Sequence, residues 1–166
     1  MTDNEKYIKR YLDLIPSENL LQELQNSGNA TTEIYGNLTD EQSNYSYADG
    51  KWSLKVLLQH MIDAEKIFNY RALRFARNDK TELPGWDEAS YGENSNVAST
   101  SLSDLIEEFK TIRNVSCLFF KNLDEELLSR TGSANGNELS VETIGKLIVG
   151  HTLHHLNIIK ERYLNE

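Results

Sequence analysis

Three of the chain's four histidines lie within five residues, in the segment Gly150-His151-Thr152-Leu153-His154-His155. On a helix, His151 and His155 are one turn apart and project from the same face. The fourth, His60, is the polar member of a separate apolar stretch from Leu57 to Met61. Three imidazoles from two helices would form a metal site with open coordination positions, which is typical of catalytic rather than structural sites.

Buried histidines also have an ordinary structural interpretation, in which hydrogen bonds hold the rings, and for one isolated histidine that is the commoner outcome. Here the i,i+4 pair shares its stripe with apolar residues that offer few polar partners, namely Ile144, Ile148 and Ile158. A metal would bind one nitrogen of each ring. We therefore predict His60, His151 and His155 as metal ligands.

His154 is rotated by about 60° from His151 on an ideal helix, and its role stays open between a ligand, a neighbour of the ligands and a surface residue. The spacing His-x-x-x-His invites comparison with zinc proteases, in which a glutamate follows the first histidine as the general base. Position 152 is threonine, so protease chemistry is not predicted. Three neutral imidazoles without an obligatory carboxylate suit Zn²⁺, Ni²⁺ or another late divalent ion.

Other polar residues near these histidines are candidates for substrate contacts. Arg71 lies three helical turns beyond His60 and is rotated from it by about 20°, so it could hold an anionic substrate or pair with an acid. Glu65 is rotated by about 140° and is interpreted as interhelical or adjacent to a ligand. Trp86 and Asp87 could cover the pocket mouth, although Trp86 could equally anchor its loop on the bundle.

Length and composition limit the class of protein. A chain of 166 residues predicts one domain over 1–166, and no apolar run approaches the ~20 residues of a membrane span. The polar N-terminal segment lacks a signal-peptide pattern. A lone cysteine, Cys117, excludes an internal disulfide, and cytoplasmic residence is the default expectation. The net charge of −9 disfavours nucleic-acid binding.

Two prolines and nine glycines leave few breaks, which favours helices. Thr39 to Gln42 has capping-box spacing. Segments 78–100 and 132–137 are predicted loops, and no segment is predicted to be a strand. Four long amphipathic segments predict an all-α four-helix bundle. The predicted helices run from about Asp3 to Leu14, from a Ser17 cap to about Ile34, from Leu54 (capped by Ser53) to Arg77, from Ser101 to about Leu123, and onward from a Ser140 cap.

A set of motifs in fixed order resembles a known family, the DinB/YfiT-like metalloenzyme superfamily. The resemblance covers about residues 17–164, and it rests on the order and spacing of the motifs together. They are Gly50-Lys51-Trp52-Ser53, His60, Asp63-Ala64-Glu65, Arg71, Leu83-Pro84-Gly85-Trp86-Asp87 and the segment Gly150 to His155.

This resemblance implies a bundle with up-down-down-up connectivity and a divalent metal held by three histidines, with water in the remaining positions. Carried over to this sequence, the ligands are His60, His151 and His155. The resemblance also implies a homodimer. Relatives include transferases and isomerases that use bacillithiol- or mycothiol-type thiols, and many proteins described as metal-dependent hydrolases.

The residues and the resemblance together predict a metal-dependent enzyme that acts on a small molecule. It would be a low-molecular-weight-thiol S-transferase or a related hydrolase, in which the metal lowers the pKa of a bound thiol or water. The alternative is a non-catalytic, metal-stabilised binding or dimerisation module, since a bundle of this length does not need a metal to fold.

Overall fold

The structure, a computed structural model, describes residues 3–164; Met1, Thr2, Asn165 and Glu166 of the predicted domain lie outside the described residues. Four long helices dominate it, which confirms the predicted fold class. The helices are α1 (Asp3–Leu12), α2 (Leu20–Gly36), α3 (Asp40–Ser43), α4 (Leu54–Ala76), α5 (Glu88–Glu93), α6 (Leu102–Lys121), α7 (Glu125–Ser129) and α8 (Val141–Ile158), with strands β1 (Thr131–Ala134) and β2 (Asn137–Ser140) before α8. A 3₁₀ turn covers Val97–Ser99, and α8 continues as a π-helix over Ile159–Leu164.

Polar caps set the starts of the long helices. Ser53, Ser101 and Ser140 each accept a hydrogen bond from the backbone amide three residues ahead. Ser53 and Ser140 were predicted as caps, and Ser101 was predicted as the start of its helix. Thr39 and Gln42 form the predicted capping box of α3. Such caps stabilise a helix by about 1 kcal/mol each.

The predicted cap of α2 is wrong by two residues. Asn19, rather than Ser17, accepts the hydrogen bond from the Gln22 amide, at 3.1 Å. Ser17 instead donates to the carboxylate of Glu23 at 2.7 Å. Asparagine and serine are equally good caps, so the sequence alone offered no basis for choosing between these two positions.

Side-chain pairs give the relative directions of the helices. Lys66 and Asn69 of α4 contact Glu108 and Ser116 of α6 in that order, so these two helices run parallel. On α8 the order is reversed, because His60 faces His155 while Phe68 faces His151.

Helix α2 runs opposite to α6. Gly28 of α2 packs on Arg113, and the C-terminal Gly36 lies beside Leu102 at the start of α6. The long helices α2, α4, α6 and α8 therefore run up, down, down and up. This is the connectivity that the resemblance implied.

The apolar core is divided into two clusters. One surrounds Leu58, Met61 and Phe109, and the other surrounds Phe75 and Ile144. Between them lies a buried polar layer, to which all four long helices contribute (Ser27, Glu65, Arg113, Ser116 and Thr152). No helix within residues 3–164 combines the length and the apolar character that crossing a bilayer requires.

A β-hairpin replaces the loop predicted over 132–137, and the prediction that the chain contains no strand is wrong. Strands β1 and β2 pair antiparallel through a two-residue turn at Asn135 and Gly136. Both turn residues have positive φ, 52° and 73°, which is the geometry that an Asn-Gly pair favours in tight hairpins. The strands are only four residues long, so the alternation was too brief to identify, although the Asn-Gly signal was present.

The predicted loop 78–100 is more ordered than expected, since it contains α5 and the 3₁₀ turn. It also joins the hairpin. The Leu83 amide donates to the Ser133 carbonyl at 3.0 Å, and the Asn135 amide donates to the Leu83 carbonyl at 2.9 Å. These bonds fix the segment around Pro84 and Trp86 over the end of α4.

The hairpin packs on α4 at a position that permits only glycine. A Cβ at Gly132 would lie 2.1 Å from a ring carbon of Phe75. We expect Gly132→Ala to lower the free energy of unfolding by about 1–3 kcal/mol through overpacking. Urea denaturation measures this. Gly36→Ala is the control, because a Cβ there meets nothing within 4 Å; equal effects of both substitutions would contradict the packing argument.

A second prediction concerns the ion pair within the buried polar layer. Arg113 and Glu65 form a buried bidentate ion pair, with Nε–Oε1 at 2.8 Å and Nη2–Oε2 at 3.0 Å. Arg113→Met would leave a buried carboxylate without its counter-ion, and we expect a cost of about 3–5 kcal/mol. The double variant Arg113→Met/Glu65→Leu should cost less than the sum of the single changes in the same denaturation assay. Strict additivity would show that the pair is not coupled.

Candidate metal centre

Three imidazoles meet at the edge of the polar layer. His60 comes from α4, and His151 and His155 come from successive turns of α8. Their Nε2 atoms form a nearly equilateral triangle, with His60–His151 at 3.0 Å, His60–His155 at 3.1 Å and His151–His155 at 3.1 Å. All three side chains are buried. The structure thus brings together the three residues that the sequence selected.

Hydrogen bonds among the three rings cannot account for this triangle. An Nε2 atom is either a donor or an acceptor, so at least two of three mutually close nitrogens have the same role and repel. A shared ion resolves the conflict. Two nitrogens at ~2.0–2.1 Å from one ion lie roughly 2.8–3.4 Å apart, as the angle at the ion opens from octahedral to tetrahedral. The donor set therefore fits a divalent metal.

Burial keeps these histidines neutral, which is the form that binds metals. Desolvation, reinforced by the neighbouring histidines, lowers the pKa of His60 to about 4 and that of His155 to about 2. The pKa of His151 is held well below the usual 6.5 for the same reason. At neutral pH each ring therefore presents a lone pair, and the Nδ1 atom of His155 is buried without a hydrogen-bond partner among the described residues.

Aromatic side chains hold the rings in place. Trp52 lies 5.0 Å from His60 between ring centroids, and Phe68 lies 6.0 Å from His151. Tyr11, from the N-terminal helix α1, packs edge-on against His151 at 5.7 Å. This helix touches α8 so closely that a Cβ at Gly150 would lie 2.4 Å from the Tyr11 carbonyl oxygen. Two elements outside the α4–α8 pair, α1 and the segment before α4 that carries Trp52, thus help to enclose the site.

His154 points away from the triangle. Its ring packs against Tyr11 at 5.3 Å and against His155 at 5.0 Å. It is only partly buried, and burial together with nearby Arg10 lowers its pKa. Of the three roles left open, the structure places it beside a candidate ligand and outside the converging set.

A cavity of about 300 Å³ opens on the His151 side. Arg71 and Trp86 both line it, as the sequence suggested, and the guanidinium carbon of Arg71 lies 5.0 Å from the centroid of the indole. The structure thus brings both residues into the space that adjoins the candidate metal ligands. The rest of the lining comes from α1, α4, α5, α8 and the hairpin (Tyr7, Ile8, Tyr11, Phe68, Glu88, Ala134, Asn135, Asn137, Leu139 and Leu147).

Asp87 does not line this cavity. It is exposed, and its carboxylate caps α5 by accepting from the amides of Ala89 and Ser90 at 3.1 and 3.2 Å. The geometry therefore gives Asp87 a structural task, and its proposed contact with substrate has no support. The Glu65 carboxylate likewise has a structural role, since it forms an ion pair with Arg113 of α6. This is the interhelical role considered from the sequence.

A second cavity, of about 250 Å³, opens on the His155 side of the triangle. Lys51 and Trp52 line it together with Tyr47 and Tyr163. The Tyr163 hydroxyl donates to the Trp52 carbonyl at 2.6 Å, which ties the chain's C-terminal segment to this wall. The candidate ligands consequently lie between two separate cavities.

Sequence reasoning missed three contributors to the site, namely Arg113, Asn135 and Asn137. Arg113 falls within the helix predicted from Ser101 to about Leu123, and nothing local distinguishes it from a surface arginine. Asn135 and Asn137 enter the cavity lining through the hairpin, and the Asn-Gly pair was the available signal. Tyr11 lies in the first predicted helix, but its contact with His151 was not predicted.

Comparisons with known proteins identify similar chains and a family. "Putative metal-dependent hydrolase OB0413" of Oceanobacillus iheyensis is 22% identical over 143 residues, which cover 84% of this chain and 81% of that protein. The solved structure of YfiT from Bacillus subtilis aligns with a TM-score of 0.69 at 16% identity, over 99% of this chain and 89% of that one. YfiT is described as "a probable metal-dependent hydrolase with an unusual four-helix bundle topology". A model of the DinB superfamily matches residues 23–159, and the chain belongs to that superfamily.

Proposed function

We propose that His60, His151 and His155 bind one divalent metal ion and that the protein is a metal-dependent hydrolase of small molecules. The observation that carries the proposal is the triangle of neutral Nε2 atoms 3.0–3.1 Å apart. The names given to the Oceanobacillus protein and to YfiT support the choice of hydrolysis. An ion at this position would supply a Lewis acid and would lower the pKa of a water or thiol that it binds.

The nature of the donors favours particular metals. Three imidazole nitrogens without a carboxylate suit Zn²⁺ or Ni²⁺ better than Mg²⁺ or Ca²⁺, which prefer oxygen. Glu65, the nearest buried carboxylate on α4, is held by Arg113 and Ser116 and is therefore not free to bind an ion. Trp52 and Phe68 shield the site, which strengthens electrostatic interactions there.

A thiol S-transferase is the second candidate, and the two cavities favour it. Because His151 faces one cavity and His155 faces the other, two reactants could reach the centre from opposite sides. The chain's own thiol is not one of them, since Cys117 lines neither cavity and burial raises its pKa. The thiol would therefore be a separate small molecule.

Metal content tests the first part of the proposal. Protein expressed without a His tag should carry about one Zn²⁺ or Ni²⁺ per chain by plasma mass spectrometry. His60→Ala, His151→Ala and His155→Ala should each reduce the content at least tenfold. Because the pKa of His60 lies near 4, protons should compete weakly at pH 6, and the ion should be retained there.

His154→Ala is the matched control, since it removes an imidazole from the same helix but outside the triangle. It should leave the metal content unchanged. If the ion persisted in all three ligand variants, its binding site would lie elsewhere in the protein. A wild type that remains metal-free after incubation with Zn²⁺ and Ni²⁺ would end the proposal.

Activity assays distinguish the two reactions. Metal-loaded protein should hydrolyse members of an ester and amide panel without added thiol, and chelation or His151→Ala should reduce the rate at least 100-fold. If an S-transferase is correct, turnover of an electrophile such as monobromobimane should instead require an added thiol. Activity that resists both chelation and His151→Ala would exclude both assignments.

A further inference from the structure

We propose, on the basis of the function proposed above, that the cavity beside His151 binds small carboxylates with a flat apolar body, and that Arg71 holds the carboxylate. The charged group would lie at the Arg71 end, and the body would extend along the aromatic wall toward His151.

Arg71 is a buried cation with unused donors. The residue is only 6% exposed, and its one hydrogen bond among the described residues runs from Nη2 to the Pro84 carbonyl at 2.8 Å. No ion pair within residues 3–164 includes it. A guanidinium has five N–H donors, and a buried cation without a counter-ion is unfavourable unless an anion joins it. An anionic ligand would supply the missing partner.

The acidic residues nearby do not fill this role. Glu82 attracts Arg71, but no ion pair joins the two among the described residues, and the Glu82 carboxylate accepts from the Gly136 amide at 3.0 Å in the hairpin turn. Glu88 lines the cavity, but its charge acts on Tyr7 at the α1 side. The cavity therefore has a cationic end and an acidic end, and an anion is accepted only at the cationic end.

The walls specify the rest of the ligand. Trp86 lies against Arg71, and Phe68 lies between Trp86 and His151, with ring centroids 6.0 Å from each. Such a row of rings packs best against a planar or slender apolar body. A volume of about 300 Å³ is at the small end of ligand sites, which favours a molecule the size of a benzoate or a short fatty acid.

Trp86 makes the inference measurable on metal-free protein. In a Trp52→Phe background, Trp86 is the chain's remaining tryptophan, and its fluorescence reports on the cavity. Benzoate and hexanoate should quench it saturably. Benzamide, a neutral isostere, should bind at least tenfold more weakly than benzoate, since it carries no negative charge to pair with the guanidinium.

The decisive variant is Arg71→Met. It should weaken the binding of benzoate at least tenfold and leave the binding of benzamide unchanged, while Arg71→Lys should retain part of the preference for benzoate over benzamide. Arg74→Met removes a cation from the same helix, where Arg74 pairs with Asp79 outside the cavity; it should change neither affinity.

Two results would overturn the inference. Equal weakening of benzoate and benzamide in Arg71→Met would mean that Arg71 only supports the Pro84 segment. Absence of binding of both benzoate and hexanoate to the wild type would exclude the substrate class. Since the titration uses no metal, a failure of the proposed metal site would leave carboxylate binding intact, and the two failures are distinguishable.

Discussion

The buried ion pair between Arg113 and Glu65 is the interaction on which the arrangement of the bundle depends. Each of the five N–H donors of the guanidinium is used: Nε and Nη2 bind the Glu65 carboxylate, Nη2 also binds Thr152 Oγ1, and Nη1 binds the Leu24 carbonyl and Ser27 Oγ. One side chain of α6 therefore contacts all three of the other long helices. A buried arginine is tolerated because no donor is left without a partner.

This network also determines where the histidines point. Thr152 is adjacent to His151, and its hydroxyl is 2.9 Å from the Arg113 guanidinium, while Glu65 fixes α4 one and a half turns beyond His60. A rotation of α8 by one residue would turn His151 by about 100° and would remove Thr152 from Arg113. The polar layer thus sets the register between α4 and α8, as buried polar groups do in other bundles. The apolar clusters on either side supply stability but tolerate small shifts.

The sequence predicted what depends on local pattern. Apolar periodicity gave the four long helices, and Ser53, Ser101 and Ser140 marked their starts. The i,i+4 spacing of His151 and His155 placed both on one face, so only the position of His60 required tertiary structure.

Features that depend on contacts between residues distant in sequence could not be predicted. The sequence around Arg113 resembles that of a cation on a helix surface, because its partners are distant in sequence, at positions between 24 and 152. Leu83 likewise pairs with a hairpin that lies some fifty residues later in the chain. Asp87 was interpreted through its place in a long loop, but its local role as a helix cap takes precedence. The cavity itself forms only where α1, the loop and the hairpin meet.

Arg71 and Arg113 are almost equally buried, at 6% and 5% exposure, yet the two guanidinium groups differ in their polar partners. Arg113 has a complete set of partners, and its burial is explained by folding alone. Arg71 has one carbonyl and an indole face, and Glu82 attracts it without forming an ion pair, so the cost of its burial is only partly offset among the described residues. Uncompensated costs of this kind are characteristic of functional sites, where a ligand supplies the missing interaction. Since the same cavity reaches His151, the unpaired cation and the converging imidazoles are best understood as two ends of one site.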